Sequence, residues 1–549
     1  MSGLPIGRRQ AMVAPILGAA GLMLPGAGAA QARRRPSGRS TLSTPRDATA
    51  RTQYGPVRGY LDDGVYTFKG IPYGADTGGE NRWLPAKPPR RWTEDFHALS
   101  YGPNCPQTLH DFRAVEHTFL QQWTDGFLGE DMLRLNIWTP SLSGSRPVMV
   151  YFHGGGFSFG SSYELASHDG AQMARHHDVV QISLNHRLNV LGFLDLKDVG
   201  GSAYDESVNV SMTDCIAALR WVQENIARFG GDPNKIMIYG QSGGGSKVTT
   251  LLGMQSGKGL IHRAAAQSGG GGALPTADQS REFAHRLLRR LDIGGKDIGA
   301  LQKIEWKPLF EAGNAVADEI NGPRGPMGPA MTPRVGWNPT LDGRVIDVRS
   351  FADTAPAVSR DVPFMVGNTS EEGMRWGYNP QEAQWRADLT KQMGGAKAGR
   401  LIAAMKAAHP EKATRTLAYG VQGLMNRNRV QSMVKLKHGQ GGAPVYQYLF
   451  QFQSPQLGGV AGAWHTAELA FCFDNVERCA QGTGNTVEAQ RLGRTMATAW
   501  ANFARTGNPS QPSLTWTASD PARCQTMVFD VDSRMVDDPE GDSRRILLG

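Results

Sequence analysis

Cysteine is scarce in this 549-residue chain: Cys105, Cys215, Cys472, Cys479 and Cys524 make an odd number, with no C-x-x-C pair. That excludes a dense disulfide framework and a zinc site built on paired thiolates. The thirteen histidines contain no H-E-x-x-H, so the helical zinc-hydrolase pattern is missing as well. His176-His177 therefore reads as a solvated helix end. Long apolar runs are also absent. Ala11–Leu24 is broken by Pro15 and two glycines, and no later stretch reaches the roughly 20 residues a membrane-spanning helix needs, so no stable membrane insertion is expected. A basic body is missing too, despite the net charge of +8. Residues 1–51 carry eight arginines against the single acid Asp47, which leaves the remaining chain near neutral. Without a basic footprint, nucleic acid is excluded as a partner.

What is present suits a globular protein. Apolar residues make up 40% of the chain, with 12 Trp and 20 Phe, and the 68 Gly and 32 Pro follow no Gly-X-Y period. Arg8-Arg9, the short apolar run and Ala30-Gln31-Ala32 have the form of a twin-arginine export signal, an ordinary secretory signal or a lipid-facing anchor being the alternative. The chain divides accordingly into an export signal at 1–32, a flexible leader at 33–53 and one domain over 54–549, with a periplasmic or secreted location.

The domain opens with Gly55–Gly59 and Val65–Gly70, alternating stretches that predict a hairpin at a sheet edge. Leu135–Trp138, Val148–Phe152, Val179–Leu184 and Ile236–Tyr239 are short β-branched runs, as expected of strands buried on both faces of a parallel sheet. Ser211–Arg228 places Ile216, Leu219, Trp221, Val222 and Ile226 on one helical stripe, so the order is βαβ. Helices are predicted at Arg281–Leu291 and Ala396–His409, and strands again at Val362–Val366 and Val445–Phe450. One α/β domain follows, with a mostly parallel central sheet and a large helical insertion.

Two motifs sit where strands end. Gly240-Gln241-Ser242-Gly243-Gly244 has the context of a nucleophile elbow, in which a tight strand-to-helix turn lifts the serine hydroxyl above the sheet. A phosphate-binding loop is the rival reading of these glycines, but Lys247 falls one residue late for it. His153-Gly154-Gly155-Gly156-Phe157 supplies a loop whose backbone N–H groups can reach a developing oxyanion unobstructed by Cβ atoms. The two together point to an α/β-hydrolase.

At these residues the chain resembles the type-B carboxylesterase/cholinesterase family. The likeness extends through Phe68–Tyr73, Glu130-Asp131, Asn185–Leu188, Phe229–Pro233, Gln267–Gly269, Trp500–Ala504 and Gly507–Pro509. It implies a serine hydrolase with a glutamate in its triad. Gly367–Gly373 resembles the family's acid loop and selects Glu372, the carboxylate directly before glycine; Gly462–Leu469 resembles its histidine loop and selects His465. By this likeness Ser242, Glu372 and His465 are catalytic, Gly155, Gly156 and Gly243 form the oxyanion hole, and Ser268 and Glu468 hydrogen-bond behind the triad. Glu371, pointing the opposite way from Glu372, is expected to meet solvent.

The expected substrate is a small to medium apolar ester, hydrolysed through an acyl-enzyme without a cofactor. Amide, thioester, lactone or carbamate hydrolysis on the same triad is one alternative, and a non-catalytic binding member of the fold another. Trp306, Phe310, Trp337, Trp376 and Tyr378 are candidates for a substrate pocket or for ordinary core. Gln241 and Gly243 stand where relatives often have Glu and Ala, and Met132 stands where many have a half-cystine paired with a residue near Cys105.

Overall fold

The computed structural model describes residues 41–44, 46–108, 115–294, 296–322 and 335–548. Contacts divide the chain into Met1–Arg39 and Ser40–Gly549, and every described residue lies in the second unit. The export segment at 1–32 lies outside the described residues.

The strands in chain order are β1 (Thr41–Leu42), β2 (Thr49–Thr52), β3 (Gly55–Arg58), β4 (Tyr60–Asp62), β5 (Val65–Pro72), β6 (Phe96–His97), β7 (Arg134–Thr139) and β8 (Arg146–Phe152). They continue as β9 (Val180–Leu184), β10 (Gly231–Gln241), β11 (Arg263–Gln267), β12 (Phe364–Thr369), β13 (Val445–Phe450), β14 (Gln525–Phe529) and β15 (Arg534–Asp537). Among the described residues twelve of them form one sheet, in the order β1-β4-β5-β7-β9-β8-β10-β11-β12-β13-β14-β15. From β9 to β14 neighbouring strands are parallel; the two flanks are antiparallel.

Alternation along the central strands fills two cores, one on each face of the sheet. Val148, Val150 and Phe152 of β8 and Ile236 and Ile238 of β10 join the core that also takes Ile216, Leu219 and Val222 from the helix Val210–Asn225. Met149, Tyr151, Met237 and Tyr239 join the opposite core, covered by Leu492, Met496, Trp500 and Phe503 of the helix Val487–Thr506. Between β12 and β13 the helices Glu382–Met393, Gly395–Ala408 and Thr414–Gly439 share a separate small core around Trp385, Leu401 and Leu417. This is the helical insertion.

Five expectations need correction. The described part of the supposed flexible leader is ordered: β1 pairs with β4, β2 pairs with β3, and Ala48 and Ala50 are buried. The stretches Gly55–Gly59 and Val65–Gly70 do not pair with one another; β3 belongs to a separate three-stranded sheet with β2 and β6, while β5 joins the main sheet. Leu135–Trp138 is buried, but its strand β7 runs antiparallel to both β5 and β9. His176 stays exposed and His177 is half-buried, and both close on Asp474 rather than on solvent alone. The helix predicted from Arg281 starts at Ala277, because Thr276 and Gln279 form a reciprocal capping box.

Candidate active site

The parallel strands β8, β10, β11, β12 and β13 end on the same edge of the sheet, and the candidate residues sit on the segments that follow them. Ser242 is the single residue between β10 and the helix Gly243–Gly253, with φ +57° and ψ −120°. Such a conformation is strained for a residue with a Cβ and persists only where its surroundings enforce it. Here they do. The Ser242 amide donates to the Gln267 carbonyl at 2.7 Å, and its own carbonyl accepts from Ser246 N at 3.1 Å. The turn also requires small neighbours, since a Cβ at Gly244 would overlap the Phe152 carbonyl.

The glycine loop leaves β8 at His153 and passes beside the elbow. Gly155 and Gly156 are both left-handed, at φ +79° and +63°, a pair of conformations that suits glycine. The Gly156 carbonyl lies where a Cβ on Gly243 would stand. Glycine at 243, where relatives often have alanine, therefore lets this loop press against the start of the nucleophile helix.

Glu372 and His465 meet although 93 residues separate them. Thr369 N donates to Glu372 Oε1 at 3.1 Å, and His465 Nδ1 donates to Glu372 Oε2. The carboxylate is fully shielded, while the imidazole keeps 37% of its side-chain surface exposed toward the site. Burial pushes the Glu372 carboxyl up, but the facing imidazole and the Thr369 amide outweigh it and hold it below the ordinary glutamate value. Burial likewise opposes a charged His465, and the Glu372 charge overcomes it, leaving the histidine above its ordinary value. The remaining ring nitrogen, Nε2, is met by the Gln241 amide at 3.1 Å. Among the described contacts of that ring, none is a hydrogen bond to Ser242 Oγ; such bonds commonly tighten only when substrate is present.

Ser268 and Glu468 are both buried behind this pair, and the Ser268 hydroxyl, hydrogen-bonding to the Glu372 carboxyl, helps to hold it low. Burial and the nearby Glu372 push the Glu468 carboxyl up to about 8, so at neutral pH it sits mainly protonated beside the ionised Glu372. Glu371 is not solvated. It is 1% exposed, paired with Lys412 at 2.8 Å, and accepts from Ser370 Oγ, Gln453 Nε2 and Ala463 N. It thereby ties the acid loop to the histidine loop. Sequence reasoning gave no role to Lys412 and placed Glu371 in solvent, its one signal being that Glu371 adjoins Glu372; Gln241 stood out only as a departure from the Glu that relatives often have at the elbow.

Of the aromatic candidates, Phe310 and Trp337 stack in the core at 6.2 Å, and Tyr378 donates to Asp388 at 2.8 Å. A small cavity of about 60 Å³ lies along the nucleophile helix, lined by Phe157, Ser246, Thr249, Leu274, Val348 and Ser350, among others, with none of Ser242, Glu372 or His465 in its wall. Among the described residues no cluster of His, Cys, Asp or Glu is arranged to hold a metal ion.

The model of the carboxylesterase family matches residues 46–543. The chain belongs to the carboxylesterase family. As a member it is a carboxylic ester hydrolase with the α/β-hydrolase fold. It is 30% identical over 503 residues to the para-nitrobenzyl esterase of Bacillus subtilis (strain 168), covering 90% of this chain and 98% of that one. It is 34% identical over 491 residues to the phenmedipham hydrolase of Pseudarthrobacter oxydans, covering 86% and 94%. A solved esterase from anaerobic Clostridium hathewayi, described as able to hydrolyse aliphatic aromatic polyesters, superposes with a TM-score of 0.81 at 31% identity, over 93% of this chain and 99% of that one.

Proposed function

We propose that this carboxylesterase works through Ser242 as nucleophile, His465 as general base and acid, and Glu372 as the carboxylate that orients the imidazole. The observation that carries the reading is the pairing of the buried Glu372 with His465 beside a serine held at a strained elbow. With Nδ1–H given to Glu372, Nε2 offers the lone pair that takes the Ser242 proton as Oγ attacks the ester carbonyl. N–H groups of Gly155, Gly156 and Gly243 stabilise the oxyanion. The C–O bond breaks, the alcohol leaves with the proton from His465, and water releases the acid by the same steps in reverse.

Treatment with an organophosphate followed by peptide mapping tests the reading. Phosphorylation of Ser242, and loss of about 10⁴-fold or more of kcat in Ser242→Ala, are the expected results; labelling of Ser246 or Ser268 defeats it.

The export reading accompanies this one. Arg8-Arg9, the fourteen-residue apolar run and the small-residue cleavage site support removal of residues 1–32 and delivery to the periplasm or beyond. Among the described residues no helix is long and apolar enough to cross a membrane.

A further inference from the structure

One turn into the nucleophile helix stands Lys247, with 0% of its surface exposed. Its ammonium donates to the His153 carbonyl at 2.9 Å and to the Gly156 carbonyl at 3.2 Å, and lies 5.3 Å from the centre of the Phe157 ring. All three partners belong to the glycine loop, and its hydrogen bonds among the described residues go to no carboxylate. Burying a cation on neutral carbonyls is costly even with the charge of Glu164 near it, so packing alone does not account for it.

The two carbonyls it holds are informative. The peptides 153–154 and 156–157 flank the two peptides that carry the Gly155 and Gly156 N–H groups. A loop of three glycines, two of them left-handed, has more freedom to lose than any other, and an oxyanion hole works only when its donors are already aimed. We propose that Lys247 is a positioning residue of the oxyanion hole, whose ammonium pins both ends of the glycine loop to the nucleophile helix and adds positive potential beneath the developing negative charge. The proposal rests on the reading of Ser242 as nucleophile. Burial lowers the lysine to about 8, with Cys215 and Glu164 pulling the other way, so it is charged at neutral pH. His153 and His186, held neutral chiefly by burial, face it without competing for the same carbonyls.

Lys247→Met keeps the length of the side chain and removes the charge and the donors. Its thermal midpoint, KM and kcat are compared with those of the unsubstituted enzyme, together with the Ki of a trifluoromethyl ketone. In that inhibitor Ser242 Oγ adds to the carbonyl carbon, the proton passes to His465, and the carbonyl oxygen becomes the oxyanion. The expected outcome is kcat lowered about 10- to 100-fold and Ki raised by a matching factor. KM should change less than about threefold, as fits an interaction made chiefly in the transition state. A variant with a lowered midpoint but unchanged kcat and Ki, or with raised KM alone, overturns the proposal. Should the methionine variant fail to fold, Lys247→Gln, which keeps a donor for one carbonyl, is judged by the same readouts with a smaller expected loss. Organophosphate labelling separates the two readings. Absent labelling of Ser242 in the unsubstituted enzyme defeats the nucleophile assignment, whereas labelling with kcat unaffected by Lys247→Met defeats this proposal alone.

Discussion

Glu371 and Glu372 are neighbours in sequence, both buried, and turned to different loops: Glu372 meets His465, while Glu371 meets Lys412 and the Ala463 amide. One residue of register thus separates the carboxylate that holds the imidazole from the carboxylate that holds the imidazole's loop. The two make different predictions.

Glu372→Gln keeps shape and loses the charge that stabilises an imidazolium, so kcat should fall by about 10²–10⁴-fold with little change in the melting temperature. Glu371→Gln leaves the half-buried Lys412 without its acid and weakens the bonds Glu371 accepts, which costs about 1–3 kcal/mol of stability. Its kcat should fall far less than that of Glu372→Gln, through displacement of the histidine loop. Thermal unfolding and steady-state kinetics on both variants separate the roles; a catalytic collapse in Glu371→Gln with an intact Glu372→Gln would shift the acid by one residue.

The pH profile follows from the sign of the His465 shift. The neighbouring Glu372 charge favours the protonated imidazole, and the base must be neutral to act, so activity rises as pH climbs through a value above that of an ordinary histidine. The acid limb of kcat/KM should therefore lie above about 6.5. In the residual activity of Glu372→Gln it should move down, because the charge that raised it is gone. A limb that stays put in that variant would remove His465 as the titrating group.

Stability has its own acid limb. Burial opposes the Glu371 charge, but Lys412 outweighs burial and leaves the carboxyl below its ordinary value in the folded protein. Its contribution is therefore fully present above the unfolded-state value of about 4.5 and is lost as pH falls through the folded one. Urea midpoints across that acid range should drop less steeply in Glu371→Gln than in the unsubstituted protein.

Gly243→Ala probes the contact between the glycine loop and the nucleophile helix. A Cβ there would displace the Gly156 carbonyl, so kcat should fall by about tenfold or more with KM little changed, as for a disturbed oxyanion site. Unaltered kinetics would show that the loop yields freely.

Arg8→Lys together with Arg9→Lys tests the address at the N-terminus. Esterase activity should remain and stay in the cytoplasmic fraction if the twin-arginine route is used; unchanged export would assign the general secretory route.

Much of this protein was determined by its sequence alone. The β-branched runs at Val148–Phe152 and Ile236–Tyr239 and the glycines around Ser242 have local causes, namely strand burial and a turn too tight for larger residues, so strand, elbow and helix were readable in order. The family likeness supplied Glu372 and His465, which composition and spacing could not have joined across 93 residues. Tertiary structure alone decided what depends on burial and on contacts distant in sequence. A charged residue such as Glu371 or Lys247 reads as solvated until the fold buries it against Lys412 or against the glycine loop. The pairing of β7 was beyond the sequence for the same reason, since an apolar run is equally content in a parallel or an antiparallel ladder, and the neighbours that choose between them come from elsewhere in the chain.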